Sequence, residues 1–348
     1  MATISDVARK AQVSKSTVSR VLNGHSVREE NRIKVMRAIK ELGYSPNAQA
    51  RSLTSGRTNV IGVMVPDMDG PFYGSILEGC QQTLWFHGFY MLVRSTHHEK
   101  GSEPNLVKLL WEKRVDGLII LTPREIKEKP MQEVLKELVS TNFPLVIADG
   151  DIDNVNVSGV WVDNFLGGYK ATNHLLQLNH RRIAIILGPE DAPEAIRRLN
   201  GYKRALKESG VPVDENLIHV AGDYLAESVF RIFPDIMAAG PTAIFATSDE
   251  LAYGVLEACK QHGINVPNDL SLIGYDDVPF AKMLTPKLTT IAQPLTALGQ
   301  VAAGKIARII SGEEREIAKI ILPTELVVRE STTSLKVSKE VAYSKTKM

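Results

Sequence analysis

TISDVARKAQVSKSTVSRVLNG, residues 3–24, reads as two short helices joined by a tight turn. Thr3 and Asp6 have the Thr-x-x-Asp spacing of a capping box, and Val7, Ala8 and Ala11 supply the apolar stripe of a first helix. Gln12 and Val13 make the turn, and Ser14 is a good N-cap for a second helix. At about 100° per residue, Val18, Val21 and Leu22 gather on one side of that helix and Lys15, Ser16, Ser19 and Arg20 on the other. One face packs while the opposite face offers donors, as a recognition helix in a DNA major groove must do. Arg20 is the candidate for a guanine contact.

Charge points the same way. Residues 1–58 hold eleven Lys and Arg against four Asp and Glu, a net of +7; the remaining 30 basic and 36 acidic residues leave −6 for the rest of the 348-residue chain. A basic head on an acidic body suits a polyanionic partner. A third helix is expected from Glu29 to Leu42, with Ile33, Met36 or Val35, Ile39 and Leu42 as its apolar side and Gly43 as a left-handed stop. Ser45-Pro46 then opens a marginal short helix that orders only when docked, and Leu53 is an apolar wedge suited to a minor-groove base step.

The strings TISDVARKAQVSKSTVSRVLNG and ELGYSPNAQARSL resemble the LacI/GalR family of bacterial transcription regulators. The resemblance implies that Lys15, Ser16, Thr17 and Arg20 face the major groove and that Asn47, Ala50 and Leu53 belong to a hinge helix in the minor groove. Thr3, Ser14, Ser19 and Asn23 complete the DNA-facing candidates. One stretch departs from the family pattern: Arg28 stands where a Ser usually caps the third helix, a loss of up to about 1 kcal/mol.

From Asn59 onward, β-branched runs alternate with helical stretches: NVIGVMV, YMLVRS, DGLIIL, PLVIAD, RIAIILG, LIHVAG, TAIFATS and LSLIGYD. Such spacing implies βα units in parallel sheets covered on both faces, in two halves divided near Val160. The expected fold is therefore α/β, a helix-turn-helix three-helix domain and hinge helix followed by a core of two doubly wound parallel-sheet subdomains. By resemblance that core is like a type I periplasmic binding protein, whose chain crosses between subdomains near 160–163, 289–294 and 322–325. The expected domains are 1–44 for DNA binding, 45–58 for the hinge, and 59–331 for effector binding and dimerisation. Within the core, the N-subdomain takes about 59–160 and 292–322, the C-subdomain about 163–288 and 325–331. Residues 332–348 lack an apolar face and are expected to be disordered.

Ligands of open parallel sheets sit beyond the carboxyl ends of the strands. Those ends bring Asp67, Phe72 and Tyr73, Asp149, Arg197 and Arg198, Asp223 and Tyr224, Ser248 and Asp249, and Asp276 and Asp277. Carboxylates accept from hydroxyls, an Arg donates a planar fork and an aromatic face covers a sugar or flat base, so the set suits a small polyol or heterocycle. The resemblance gives direct contacts to Arg198 and Asp276, equivalent positions to Asp149 and Ser248, and ring-flanking places to Phe72 and Tyr224. Simple structural roles compete: Asp276 as a helix cap, Phe72 and Tyr73 as core, Asp67 and Asp249 as caps, and Arg197 as a surface residue.

Other chemistries find little support. Cys80 and Cys259 lie far apart and read as small buried hydrophobes. His97-His98-Glu99 reads as a solvated loop without a partner, and Asp276-Asp277 is no acid–base pair. No nucleophile motif or phosphate loop occurs, so neither an enzyme nor a cofactor is expected. Asp6 and Arg9 interrupt the opening where a secretory signal needs apolar residues, and no run approaches a membrane span, so a cytoplasmic location is expected. The expectation is a repressor acting as a homodimer on palindromic double-stranded operator DNA. A small molecule between the subdomains controls it: a sugar or sugar phosphate first, a purine co-repressor or a protein co-effector otherwise. A solute-binding protein is the rival class, and the basic head argues against it.

Overall fold

The computed structural model describes residues 2–22, 26–44, 57–112, 115–122, 124–150 and 156–335. They form two compact units, one ending at Asn59 and the other starting at Val60.

The first unit contains α1 (Ile4–Ala11), α2 (Lys15–Leu22) and α3 (Glu29–Leu42). Both halves of the capping box are present at α1: Thr3 Oγ1 accepts from Asp6 N at 3.3 Å, and Asp6 Oδ2 accepts from Thr3 N at 2.9 Å. Gln12 turns the chain in the left-handed region, at φ 56°, and Ser14 caps α2 by accepting from Thr17 N at 3.1 Å. At α3 the Arg28 side chain makes no cap bond, and Gly43 closes the helix at φ 57°. Val7, Ala8, Ala11, Val18, Val35 and Ala38 form the core. The expected apolar side of α3 needs correction, because Ile33 and Met36 are 61% and 55% exposed. Val35, Ala38, Ile39 and Leu42 have the i, i+3, i+4, i+7 spacing of one helical stripe, and Ile33 lies about 200° around the helix from Val35.

The second unit holds two six-stranded sheets. The first lobe is built on β1 (Val60–Val65), β2 (Tyr90–Ser95), β3 (Gly117–Leu121), β4 (Leu145–Ala148), β5 (Ser158–Val162) and β11 (Lys319–Leu322), in the order β11-β5-β4-β3-β1-β2. The second lobe is built on β6 (Ile183–Leu187), β7 (Ile218–Val220), β8 (Ala243–Ala246), β9 (Ser271–Asp276), β10 (Thr289–Ala292) and β12 (Glu325–Val327), in the order β12-β10-β9-β8-β6-β7. Every pairing is parallel except β10 with β12. Central strands such as β3, β4, β6 and β8 are buried along their whole length, as a sheet covered on both faces requires.

Helices α4 (Pro71–Phe86) and α11 (Leu295–Ser311) cover one face of the first sheet, α5 (Glu103–Glu112) and α6 (Lys129–Ser140) the other. On the second sheet, α7 (Asn164–Gln177) and α8 (Pro193–Glu208) face α9 (Ala226–Ala238) and α10 (Asp249–Gln261) across the strands. The chain passes between the lobes after β5, after β10, and between β11 and β12. A further tie runs alongside: Val278 and Phe280, from the loop after β9, pack into the apolar core of the first lobe.

Four strands, β5, β10, β11 and β12, were not among the eight apolar runs. Each is three to five residues long. Gly159, the Thr289-Thr290 pair and half-exposed edge positions dilute their apolar signal. Thr289–Ala292, expected within a crossing, is a strand of the second sheet. The chain also stays fixed beyond 331. Thr333 N donates to Ser271 Oγ at 3.0 Å and Leu335 N donates to Leu178 O at 2.8 Å, so the expected start of disorder at 332 is corrected. Hydrogen bonds made by its backbone, which need no apolar face, hold this piece.

Candidate functional site

In the head, α2 presents Lys15, Ser16 and Arg20 to solvent while Val18 is fully buried against α1 and α3. Ser14 Oγ lies 2.7 Å from Ser16 Oγ and 2.8 Å from Thr17 Oγ1, so three hydroxyls are already linked at the start of the helix. Thr17 and Ser19 are half-buried, and Thr3 is engaged in the α1 capping box. The helix carries no acid in its first turn, which leaves its amino end attractive to a phosphate. Asn23, Asn47, Ala50 and Leu53 lie outside the described residues.

The second unit gathers charge between its lobes. Arg198, on α8, is brought inward because α7 and α8 touch backbone to backbone: a Cβ at Gly168 would lie 2.2 Å from the Arg198 carbonyl oxygen. The Arg198 guanidinium stacks 3.7 Å above the Tyr275 ring, and its Nε donates to Asn164 Oδ1 at 2.8 Å. Its Nη1 donates to the Thr247 carbonyl, and Nη2 lies 3.9 Å from Asp276 Oδ1. Asp276, the last residue of β9, has φ 115°, a backbone state that an L residue rarely adopts. It accepts from Gln293 Nε2 at 2.6 Å and from the backbone N–H of Asp249 at the start of α10. Asp149 follows β4 at φ 53° and accepts from Thr122 Oγ1 at 2.7 Å.

Burial, the first cause, lifts the Asp276 carboxyl to about 7 even though Arg198 and Gln293 pull it down. Burial likewise lifts Asp149 to about 6, with Thr122 opposing and Glu194 adding to the rise. Burial also opposes the Arg198 charge, but Tyr275 and Asp276 more than offset it, so the guanidinium holds its proton firmly. A buried Arg beside carboxyl groups that stay partly protonated can receive and donate hydrogen bonds together, as neutral polyols demand.

The remaining candidates divide. Tyr73 is buried beside Asp149, Glu194 and Asp67, and it meets Phe72 edge-on with centroids 5.0 Å apart. Tyr224 OH donates to Glu194 Oε1 at 3.1 Å. Ser248 caps α10 by accepting from Leu251 N at 3.1 Å, which leaves its O–H and one remaining lone pair for a ligand. Asp249 is no cap: it accepts from Thr290 Oγ1 at 2.6 Å and from Val278 N at 2.9 Å. Asp67 accepts from Asp69 N and Gly70 N, and its Oδ2 lies 2.8 Å from His98 Nε2. That contact, the first cause, lowers the Asp67 carboxyl, and it corrects the expectation that His98 has no partner. Arg197 is half-buried and Asp277 pairs with Arg329 at 2.7 Å. Burial pushes both cysteine thiols to about 12, so they are unreactive. Among the described residues no cluster of metal ligands is present.

Sequence reading missed Thr122, Asn164, Glu194, Tyr275 and Gln293. Tyr275 had a signal, an aromatic immediately before the strand-end Asp; the others meet the site only through tertiary packing. A cavity of about 340 Å³ opens between Ser75 of α4, Lys282 and the 293–297 segment.

Residues 3–47 match the family of bacterial regulatory proteins, lacI family, and residues 172–332 match a periplasmic binding protein-like domain. The chain is 38% identical over 334 residues to the HTH-type transcriptional regulator DegA of Bacillus subtilis, covering 96% of this chain and 98% of that protein. The solved Lac repressor dimer bound to operator and the anti-inducer ONPF superposes with a TM-score of 0.84 at 30% identity, covering 95% of this chain and 99% of that one. A complex of the transcriptional regulator CelR with cellobiose gives 0.72 at 33% identity, covering 95% and 100%. These proteins are regulators and not enzymes, and no helix among the described residues is long and apolar enough to cross a membrane. With a matching head, a matching core and similarity along nearly its full length, the chain belongs to the lacI family of bacterial transcription regulators.

Proposed function

We propose that the chain is a repressor that binds a palindromic operator as a homodimer and is controlled by a neutral sugar held between the two lobes of its core. The observation that carries this reading is the buried group of Asp149 and Asp276, from strand ends of the two sheets, and Arg198, from α8. A ligand that engages Asp149 from one side and Arg198 and Asp276 from the other changes the relation of the lobes, and so the spacing of the two DNA-reading heads. Coupling of about 1–3 kcal/mol changes operator affinity roughly 5- to 150-fold. Asp149, Asp276 and Glu194 surround Arg198, so a sugar phosphate meets more like charge than a neutral sugar does. The cellobiose bound to CelR is consistent with this class.

The test begins with operators selected by the chain itself from random duplexes, followed by fluorescence titration with and without a panel of sugars, sugar phosphates and purines. The expected result is a palindromic operator whose affinity shifts with a neutral sugar. Arg20→Ala and Leu53→Ala weaken the operator complex about tenfold or more. Selection of no duplex at low salt refutes the repressor reading, and a response to purines alone refutes the sugar.

A further inference from the structure

Arg124 is presented to the cleft by a dedicated anchor. It follows β3 in the first lobe, where its backbone N donates to Glu103 Oε1 at 2.9 Å and the next backbone N, of Glu125, donates to Glu103 Oε2 at 3.1 Å. Glu103 is buried in the first turn of α5, and the Glu125 side chain in turn accepts from Gly101 N. Two consecutive backbone N–H groups of the loop are thereby held by one carboxylate. The Arg124 side chain reaches across to the second lobe, where its Cζ lies 6.0 Å from the centroid of the Tyr224 ring.

Tyr224 is seated with equal care. Its ring lies where a Cβ at Gly188 would come within 2.4 Å, so only glycine leaves it room, and its OH is tied to Glu194. Arg124 and Arg198 both act electrostatically on Tyr224, and of the two it is Arg124 that lies over its ring. Two atoms of this loop are enclosed without a hydrogen-bond partner, Glu125 Oε2 and Arg124 Nε, and Nε is the donor. An enclosed N–H of a charged group is costly until an acceptor arrives.

We infer that Arg124 is a specificity-determining residue of the cleft, and that the effector is a neutral glycoside of two sugar units. Its inner unit meets Asp149, Arg198 and Asp276; its outer unit covers the Tyr224 ring and offers an oxygen to Arg124 Nε. This rests on the sugar reading of the cleft and narrows it. A single ring that reaches the inner carboxylates leaves Arg124 unsatisfied. An anionic outer group meets Glu194 beside Tyr224, which favours a hydroxyl or ring oxygen over a carboxylate or phosphate.

The experiment is calorimetric titration of the full chain with cellobiose, maltose, lactose, glucose, galactose and glucose 6-phosphate, in wild type and in Arg124→Ala, Arg124→Lys and Arg198→Ala. The expected result is a disaccharide that binds at least about tenfold more tightly than its component monosaccharide. Arg124→Ala removes that advantage and leaves monosaccharide binding within about twofold. Arg124→Lys keeps the charge but not the planar Nε–H, and does not restore the advantage. Disaccharide binding that is lost in Arg198→Ala yet unchanged in Arg124→Ala overturns this inference while the sugar reading stands. So does a monosaccharide or the phosphate binding as tightly as any disaccharide. Absence of binding by every sugar overturns the sugar reading and this inference with it.

Discussion

Arg20 and Arg198 are the same side chain placed in opposite surroundings. Arg20 stands in water on α2 with its neighbours Lys15 and Ser16 equally exposed. Arg198 is 3% exposed, stacked on Tyr275 and bonded to Asn164 and Thr247. The head keeps its cations solvated, so that a polyanion can strip away counterions; the cleft has already dehydrated its charges, so that the neutral ligand proposed for it would meet fixed donors and acceptors. The two regions should therefore respond to different variables, the head to ionic strength and the cleft to pH.

Salt gives the largest separation. Operator affinity is expected to fall roughly a thousandfold between about 50 and 200 mM salt if the bound protein neutralises about six phosphates or more. Effector affinity over the same range should move by less than about twofold. Titrations at several salt concentrations measure both, and a flat operator plot would break the contrast.

Next in size is Arg198→Ala. It leaves buried Asp276 and Asn164 without their partner, which destabilises the fold, and it removes the charged donor proposed to hold the effector, a loss of about 2–5 kcal/mol in binding, or roughly thirtyfold or more in effector affinity. Operator binding without effector should change far less. Calorimetry that finds effector affinity within tenfold of wild type would show that the stacked guanidinium is only a structural brace.

A smaller effect separates the regions by pH. Asp149 and Asp276 bind protons more tightly in the folded chain than their ordinary value of 3.8, by burial. The native state therefore holds more protons than the unfolded state, and this contribution to stability is complete below that value. It is lost as pH rises through about 6 and about 7. Asp276→Asn removes one of the two groups, so the variant should gain melting temperature relative to wild type as pH rises from about 5 to about 8. Parallel melting curves at every pH would mean that Asp276 keeps its charge throughout.

The smallest prediction lies within the head. α2 has a working cap in Ser14 and α3 has none at Arg28. Arg28→Ser should stabilise the start of α3 by up to about 1 kcal/mol. Hydrogen exchange of the 29–32 amides in the full chain reads it, and unchanged protection would show that the loop cannot adopt a capping geometry.

Legibility followed the range of the interactions. Thr3, Asp6 and Ser14 act within three residues of themselves, and their roles could be read from spacing alone. Asp149 and Asp276 were legible as strand-end positions, since the alternation of βα units fixes where such residues sit. Gln293 and Asn164 were not: one meets Asp276 from 17 residues away and the other meets Arg198 from 34. Ile33 and Met36 misled because composition marks a residue as apolar but not which of two stripes the neighbouring helices choose. Ser248 shows a further limit, since a residue beyond a strand is also the residue before a helix.

Val278 and Phe280 change what kind of motion the core permits. Embedded in the interior of the opposite half, with Val278 close to Gln293, they should hold that edge together. Any relative turning of the halves is therefore expected to pivot near this margin and to move more at the rim where Arg124 and Tyr224 face each other from the two lobes. A pair of probes placed on that rim should report the swing with the greatest sensitivity, while a pair flanking residue 278 should stay nearly silent.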